Sequence, residues 1–264
     1  MKYLLVTGAY GGMGRATVQK LVEKGYKVFA LDKKVDAPTP NVYPIEVDVT
    51  DEASVINAFK KVKSVTNELY AIVHFAGIYL LNSLVEIDDK AFSKIFDINV
   101  GGVFRINKAF FPLLKKGSRI VITTSELAPL SPLPFTGLYA VTKSALDKYA
   151  YSLRMEVQLK GIKVAVLRPG AVETDMLGVS TDALDNFCEN TNLYKFNAKC
   201  FKAIVDKVEA RKIPAEKIAK KVVKIVDKKR PRFVYNINRN PLLLLLNILP
   251  KRMQTFIIKM VLKG

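Results

Sequence analysis

A chain of 264 residues, half of them hydrophobic, is long enough for one large domain with a substantial core; its composition excludes disordered, collagen-like and disulfide-stapled classes. Its formal charge of +18, from 42 Lys and Arg against 24 Asp and Glu, favours anionic ligands, acidic surfaces or nucleic acid. The basic residues are scattered up to about Lys195 and dense beyond it. They form no compact basic-aromatic patch, so no nucleic-acid partner is expected and a solvated basic surface is the plainer reading.

Lys2–Val6 is a short apolar run that ends in Thr7-Gly8, the pattern of a buried strand and a tight turn. It begins directly after Met1 and is too short for a signal peptide, so a cytoplasmic protein is expected. Helical spacing follows from Gly14 to Lys24, stopped by Gly25, and a second strand, Lys27–Leu31, ends at Asp32. Further helices are predicted over Asp51–Val65 (with Thr50 as N-cap), Ala91–Leu114 and Gly137–Leu159, and further strands over Leu69–Phe75, Arg119–Thr123 and Ile162–Leu167. Strands alternating with helices predict a single α/β domain, residues 1–239, built on a doubly wound parallel sheet, a Rossmann fold. Ligands of such sheets bind at the carboxyl ends of the strands. Thr181–Arg211 and Pro214–Lys229 read as helices and Arg232–Tyr235 as a last strand. Residues 240–264 form an apolar and basic tail. Cys188 and Cys200 lack metal-type spacing and histidine partners; they are expected as reduced thiols, with no metal site.

The loop Thr7-Gly8-Ala9-Tyr10-Gly11-Gly12-Met13-Gly14 joins the first strand to the first helix. Glycines let backbone approach a pyrophosphate, and the free N–H groups of a helix N-terminus receive it. Asp32 then stands roughly 20 residues on, where an acid accepts bonds from an adenosine ribose. A carboxylate there repels a 2′-phosphate and favours NAD; Arg15, Lys33 and Lys34 keep NADP open. Tyr139 and Lys143 lie one turn apart on one helix face, where an ammonium stabilises a phenolate and lowers the tyrosine pKa toward the working range. Ser125, just past a buried strand, can hold a substrate oxygen beside the phenol.

These residues, with Asp48-Val49, Ala76-Gly77, Asn99-Val100-x-Gly102 and Pro169-Gly170-x-Val172-x-Thr174, resemble the short-chain dehydrogenases/reductases from Lys2 to about Tyr235. The resemblance implies hydride transfer between a nicotinamide and a secondary alcohol or ketone. In that scheme Tyr139 moves the proton, Lys143 lowers its pKa and binds the nicotinamide ribose, Ser125 positions the substrate oxygen, and Asn99 holds a helix kink and a relay water. It assigns the cofactor to Gly8, Tyr10, Gly12, Met13, Gly14 and Asp32, with Asp48 and Val49 beside the adenine. Ala76, Gly77, Pro169, Gly170, Val172 and Thr174 follow along the dinucleotide. A homodimer or homotetramer is expected on the same ground. Two features depart from the family pattern: His74-Phe75 replaces the usual Asn-Asn before Ala76-Gly77, and the loop Glu126–Gly137 holds three prolines. His74 is expected to support the strand and cofactor pocket rather than to act in catalysis.

Residues 176–211 fall where family members place a substrate lid. Leu177, Leu184, Phe187, Leu193, Tyr194 and Phe196, with Leu130, Leu133 and Phe135, predict a hydrophobic substrate such as a steroid, bile acid or retinoid, in the manner of the hydroxysteroid and retinol dehydrogenases. A sugar or an acyl thioester is the alternative substrate, and a non-catalytic dinucleotide sensor the alternative function. The tail is too short to span a membrane. It is expected either to rest on an anionic membrane as a peripheral helix, to dock on another subunit, or to pack over the substrate pocket.

Overall fold

The computed structural model describes residues 2–173, 184–209 and 211–263. Strands β1 (Tyr3–Thr7), β2 (Lys27–Asp32), β3 (Val42–Glu46), β4 (Leu69–His74), β5 (Leu114–Thr123), β6 (Lys163–Pro169), β7 (Val172–Glu173), β8 (Ile213–Pro214) and β9 (Val234–Ile237) alternate with helices. Seven of them form one parallel sheet in the order β3-β2-β1-β4-β5-β6-β9, and β7 pairs with β8 in a small ribbon. This is the expected doubly wound α/β architecture.

The helices are α1 (Gly12–Glu23), α2 (Glu52–Val65), α3 (Asp89–Phe96), α4 (Gly102–Phe110), α5 (Gly137–Val157), α6 (184–190), α7 (Lys195–Glu209), α8 (Ala215–Asp227), α9 (Pro241–Ile248) and α10 (Lys251–Lys263). Alternate residues of each strand serve opposite layers. Leu5 packs with Val55, Ile106 and Leu146 of α2, α4 and α5, whereas Leu4 and Val6 pack with Leu21 and Ile218 of α1 and α8. A third cluster lies over the carboxyl edge, where Leu184, Phe187, Phe201 and Leu262 bring α6, α7 and α10 together.

Three local expectations are corrected and one strand is added. The cap of α2 is Asp51, whose carboxylate accepts from the Ala53 and Ser54 N–H groups, while the Thr50 hydroxyl turns back to Asp48. The helix expected over Ala91–Leu114 is interrupted by a π-helical turn, Asp97–Gly101, and ends in a 3-10 turn before β5. Edge strand β3 was not foreseen, because Pro44 removes a ladder donor and an edge is where a sheet tolerates that. The helix expected over Thr181–Arg211 is divided, with α6 and α7 separated at residues 191–194. Both cysteines are free thiols.

Candidate active site

The glycine loop owes its shape to close backbone contacts. Gly8 has φ +64°, and a Cβ there would meet the Ala76 nitrogen at 2.6 Å; a Cβ on Gly14 would meet the Gly8 carbonyl oxygen at 1.9 Å. Gly11 caps α1 and Gly12 opens it, so the helix N-terminus looks onto the loop. Asp32, at the end of β2, accepts from the Tyr10 N–H at 2.9 Å and from the Lys33 N–H at 2.7 Å. Its carboxylate is thereby held beside the loop.

Two of the three cations near it are engaged. Lys33 pairs with Asp48 at 2.7 Å and Arg15 with Asp36 at 2.6 Å. Lys33, with the Thr50 hydroxyl and N–H, holds the Asp48 carboxyl down at about 2. Val49 packs where a Gly102 side chain would stand, at 2.7 Å from the position of its Cβ, which is why that turn of α4 needs glycine.

At the other end of the edge is a cavity of about 600 Å³. Its floor holds Ser125, Tyr139, Lys143, Gly77, Pro169, Gly170 and Val172, and Met13 reaches it from the glycine loop. Tyr139 and Lys143 project from α5, which is tied to the sheet by Asp147. The Arg168 guanidinium of β6 donates twice to that carboxylate, at 2.9 and 2.5 Å. The Ser144 hydroxyl also donates to the Ala128 carbonyl, fixing α5 against the loop after Ser125.

The Lys143 ammonium lies 5.6 Å from the Tyr139 ring centroid and donates to the Thr123 carbonyl at 3.4 Å. Burial pulls the ammonium down to about 8. Burial also pushes the Tyr139 phenol up to about 12, against the opposing hydrogen bond with Ser125. The expected depression of the phenol is therefore not realised in this arrangement. The apolar roof removes water from the hydroxyl, and the amine is directed at a backbone carbonyl.

Asn99 sits at the π turn, fully buried. Its side chain accepts from the Ile78 N–H at 2.8 Å and donates to the Ile78 carbonyl at 3.0 Å and to the Thr142 hydroxyl at 3.1 Å. The helix thus breaks where a side chain clamps the loop after β4. Gly77 leaves the space between Asn99 and Lys143 open, since a Cβ there would be 3.1 Å from Asn99 Oδ1 and 3.5 Å from Lys143 Nζ. His74 is buried and bonded to Asn107 at 3.0 Å, and burial lowers its pKa to about 4. It supports the strand as a neutral ring, and it does not line the cavity. Thr174, Met176 and Leu177 lie outside the described residues.

A dinucleotide fits these residues. At Gly8, Gly11, Gly12 and Gly14 the loop carries no side chain beside the N-terminus of α1, and the Thr123 hydroxyl, buried at the cavity wall, has no hydrogen-bond partner in the described structure. Among the described residues no cluster of His, Cys, Asp and Glu could hold a metal.

The family profile described as short chain dehydrogenase matches residues 2–185. The chain belongs to the short-chain dehydrogenase family. It is 31% identical to the NADPH-dependent 1-acyldihydroxyacetone phosphate reductase of Schizosaccharomyces pombe over 69% of this chain and 65% of that one. It is 27% identical to the 3-ketodihydrosphingosine reductase of Bacteroides thetaiotaomicron over 87% and 85%, and 31% to the Escherichia coli 3-oxoacyl-[acyl-carrier-protein] reductase FabG over 69% and 78%. A short chain dehydrogenase family protein from Francisella tularensis shares the fold at a TM-score of 0.76 and 24% identity, over 90% of this chain and 97% of that one.

Within this family member, several site residues escaped sequence reasoning. Tyr79 stacks edge-on against Tyr139, with ring centroids 4.6 Å apart. Glu126 is buried at the cavity and accepts from the Asn240 N–H at 2.6 Å. Burial raises its carboxyl above the ordinary range, while that N–H and the Arg239 charge oppose the shift. Of the three arrangements expected for the tail, packing over the substrate pocket is the one the structure shows. Leu242, Leu243 and Leu246 of α9 and Ile257, Ile258 and Leu262 of α10 line the cavity. Of the expected lid residues, Leu184 and Phe187 are buried, and Phe135 (φ +64°) packs its ring against Phe187, Tyr194 and Phe201. Leu193 and Phe196 are exposed instead.

Proposed function

We propose that the chain is a nicotinamide-dependent ketoreductase or alcohol dehydrogenase acting on an apolar secondary alcohol or ketone. The observation that carries this reading is the placement of Ser125, Tyr139 and Lys143 at the floor of a cavity walled mostly by aliphatic and aromatic side chains. A bound nicotinamide supplies or accepts the hydride at its C4. Gly8, Tyr10, Gly12, Met13 and Gly14 would take the pyrophosphate, Asp32 the adenosine ribose, and Asp48 and Val49 the adenine side. Ala76, Gly77, Pro169, Gly170, Val172, Thr174 and Lys143 would take the nicotinamide end.

In the reduction direction Tyr139, a neutral phenol with its pKa near 12, gives its proton to the carbonyl oxygen that Ser125 positions. The phenolate left behind is stabilised by the Ser125 hydroxyl, and Lys143 adds its charge when its amine leaves the Thr123 carbonyl. Asn99 acts through position: it fixes the backbone of Ile78 and borders the amine. The apolar roof excludes water while the proton moves.

Apolar lining and the relatives named for 3-ketodihydrosphingosine and 1-acyldihydroxyacetone phosphate support a lipid ketone; a relative named estradiol 17-beta-dehydrogenase 2 supports a steroid. A 3-oxoacyl thioester is the second reading, favoured by the similarity to FabG. Asp32 beside the loop, with Lys33 and Arg15 already paired to carboxylates, supports NAD over NADP. A homodimer or homotetramer belongs to the proposal, supported by exposed Phe104 of α4 and Val141 and Met155 of α5.

The test is nicotinamide absorbance with steroid, retinoid, long-chain and short-chain ketones, supplied with either cofactor. Catalytic efficiency should rise with the apolar size of the ketone and be higher with NADH, and Asp32→Ala should erode that cofactor preference. Sugars or short polar ketones reduced as well as long ones would refute the substrate class.

A further inference from the structure

The two tail helices present different chemistry on opposite sides. Inward, α9 and α10 wall the cavity; outward, they leave Leu245, Ile248, Met253, Phe256 and Met260 between 49% and 80% exposed. On α10 the three outward residues Met253, Phe256 and Met260 recur at helical spacing and so share a face. Single exposed apolar residues are ordinary, but five on two consecutive helices mark a surface that meets something apolar.

Charge identifies the partner. Residues 240–263 contain Lys251, Arg252, Lys259 and Lys263 and no acidic residue, and all four cations are exposed. An isologous contact between two copies would bring these cations toward one another without counter-charge. An anionic lipid surface meets both demands, taking the apolar side chains below its headgroups and the cations among its phosphates. No described helix is long and apolar enough to cross a membrane, so the contact is a surface one.

The exposure of the cavity wall on the tail adds a function to the contact. Among the described lining residues only Leu242, at 63%, and Val261, at 51%, are exposed, and both belong to the tail. The tail thus supplies the two most exposed residues of the cavity's described lining. The tail is also pinned over the site: the Asn240 N–H donates to Glu126, the Ser131 N–H donates to Asn247 at 2.7 Å, Lys251 donates to the Ser131 hydroxyl, and Asn197 donates to the Leu262 carbonyl at 2.7 Å.

We infer that the outer face of α9 and α10 seats on an anionic lipid bilayer, and that the cavity fills from that bilayer past Leu242 and Val261. The filling step rests on the reading of the cavity as a site for an apolar ketone; the docking step does not.

The full chain is sedimented with vesicles of phosphatidylcholine alone or mixed with phosphatidylglycerol, beside two exposed-face variants, Phe256→Glu/Met260→Glu and Arg252→Glu/Lys259→Glu. Partition should be at least about tenfold stronger onto the anionic vesicles, and each variant should lose most of that gain. Both variants should reduce a water-soluble ketone at the parent rate, which shows that they fold, yet lose at least about fivefold on a ketone dissolved in the vesicles. Equal partition onto both vesicles, or none, would overturn the inference. So would light scattering that shows the parent chain as an oligomer and the Phe256→Glu/Met260→Glu variant as a smaller species, because the face would then join two copies. Anionic binding without reduction of any ketone would uphold the docking and sink the substrate reading instead.

Discussion

Gly14→Ala places one methyl group where the fold has no room for it. Its carbon would stand 1.9 Å from the Gly8 carbonyl oxygen, 2.8 Å from the Gly8 carbonyl carbon and 2.9 Å from the Ala9 Cα. Every one of these is backbone of the same loop, so no side chain can swing aside. The loop and α1 must separate by about 1 Å, an overpacking that costs about 1–3 kcal/mol of stability. The loop's N–H groups would then miss the pyrophosphate. Losing two charge-assisted hydrogen bonds at about 1.5–3 kcal/mol each weakens cofactor binding by roughly 10²–10⁴-fold. NADH fluorescence titration, with circular dichroism and thermal unfolding as controls, measures both effects. A folded Gly14→Ala variant that binds NADH within about threefold of the parent, with an unchanged Tm, would refute the assignment of this loop to the cofactor.

Two further predictions follow from buried titrating groups and from the site itself. Lys143 is held down from 10.5 to about 8, so its burial opposes folding fully below pH 8, and the penalty fades as pH rises toward 10.5. In the cofactor-free chain Lys143→Met should therefore raise stability at pH 7 by about 1–3 kcal/mol while abolishing turnover, with the stability gain shrinking by pH 10. A lower Tm at pH 7 would contradict this. His74 is held at about 4 against 6.5 in the unfolded chain, so the unfolded state gains the proton first as pH falls. Urea unfolding should show a loss of up to about 3 kcal/mol between pH 6.5 and 4 that His74→Gln removes; identical slopes in the two proteins would rule the assignment out.

Much of the sheet was legible because its strands are short apolar runs between glycines and helical repeats, as in Tyr3–Thr7 and Lys27–Asp32. The site was legible where chemistry demands fixed spacing: Gly8 and Gly14 at the loop, Asp32 beside them, Tyr139 and Lys143 on one helical face. What escaped depends on contacts between distant segments. Glu126 is a lone carboxylate in a proline-rich loop, and only its bond to the Asn240 N–H gives it meaning. The raised Tyr139 pKa comes from burial beneath a roof, which spacing along α5 does not encode. The amphipathic pattern of the tail told that it has two faces. Which face meets the cavity is decided by the fold, through Ile257, Ile258 and Leu262.

The central claim is that the Tyr139 phenol is the proton donor to a ketone held beside a bound nicotinamide. Single-turnover oxidation of NADH by Tyr139→Phe, set beside its NADH affinity, tests it most directly. The affinity should stay within about threefold of the parent's while the rate falls by about 10²–10⁴-fold. A rate that survives within a few-fold, with NADH still bound, would show that the proton comes from elsewhere.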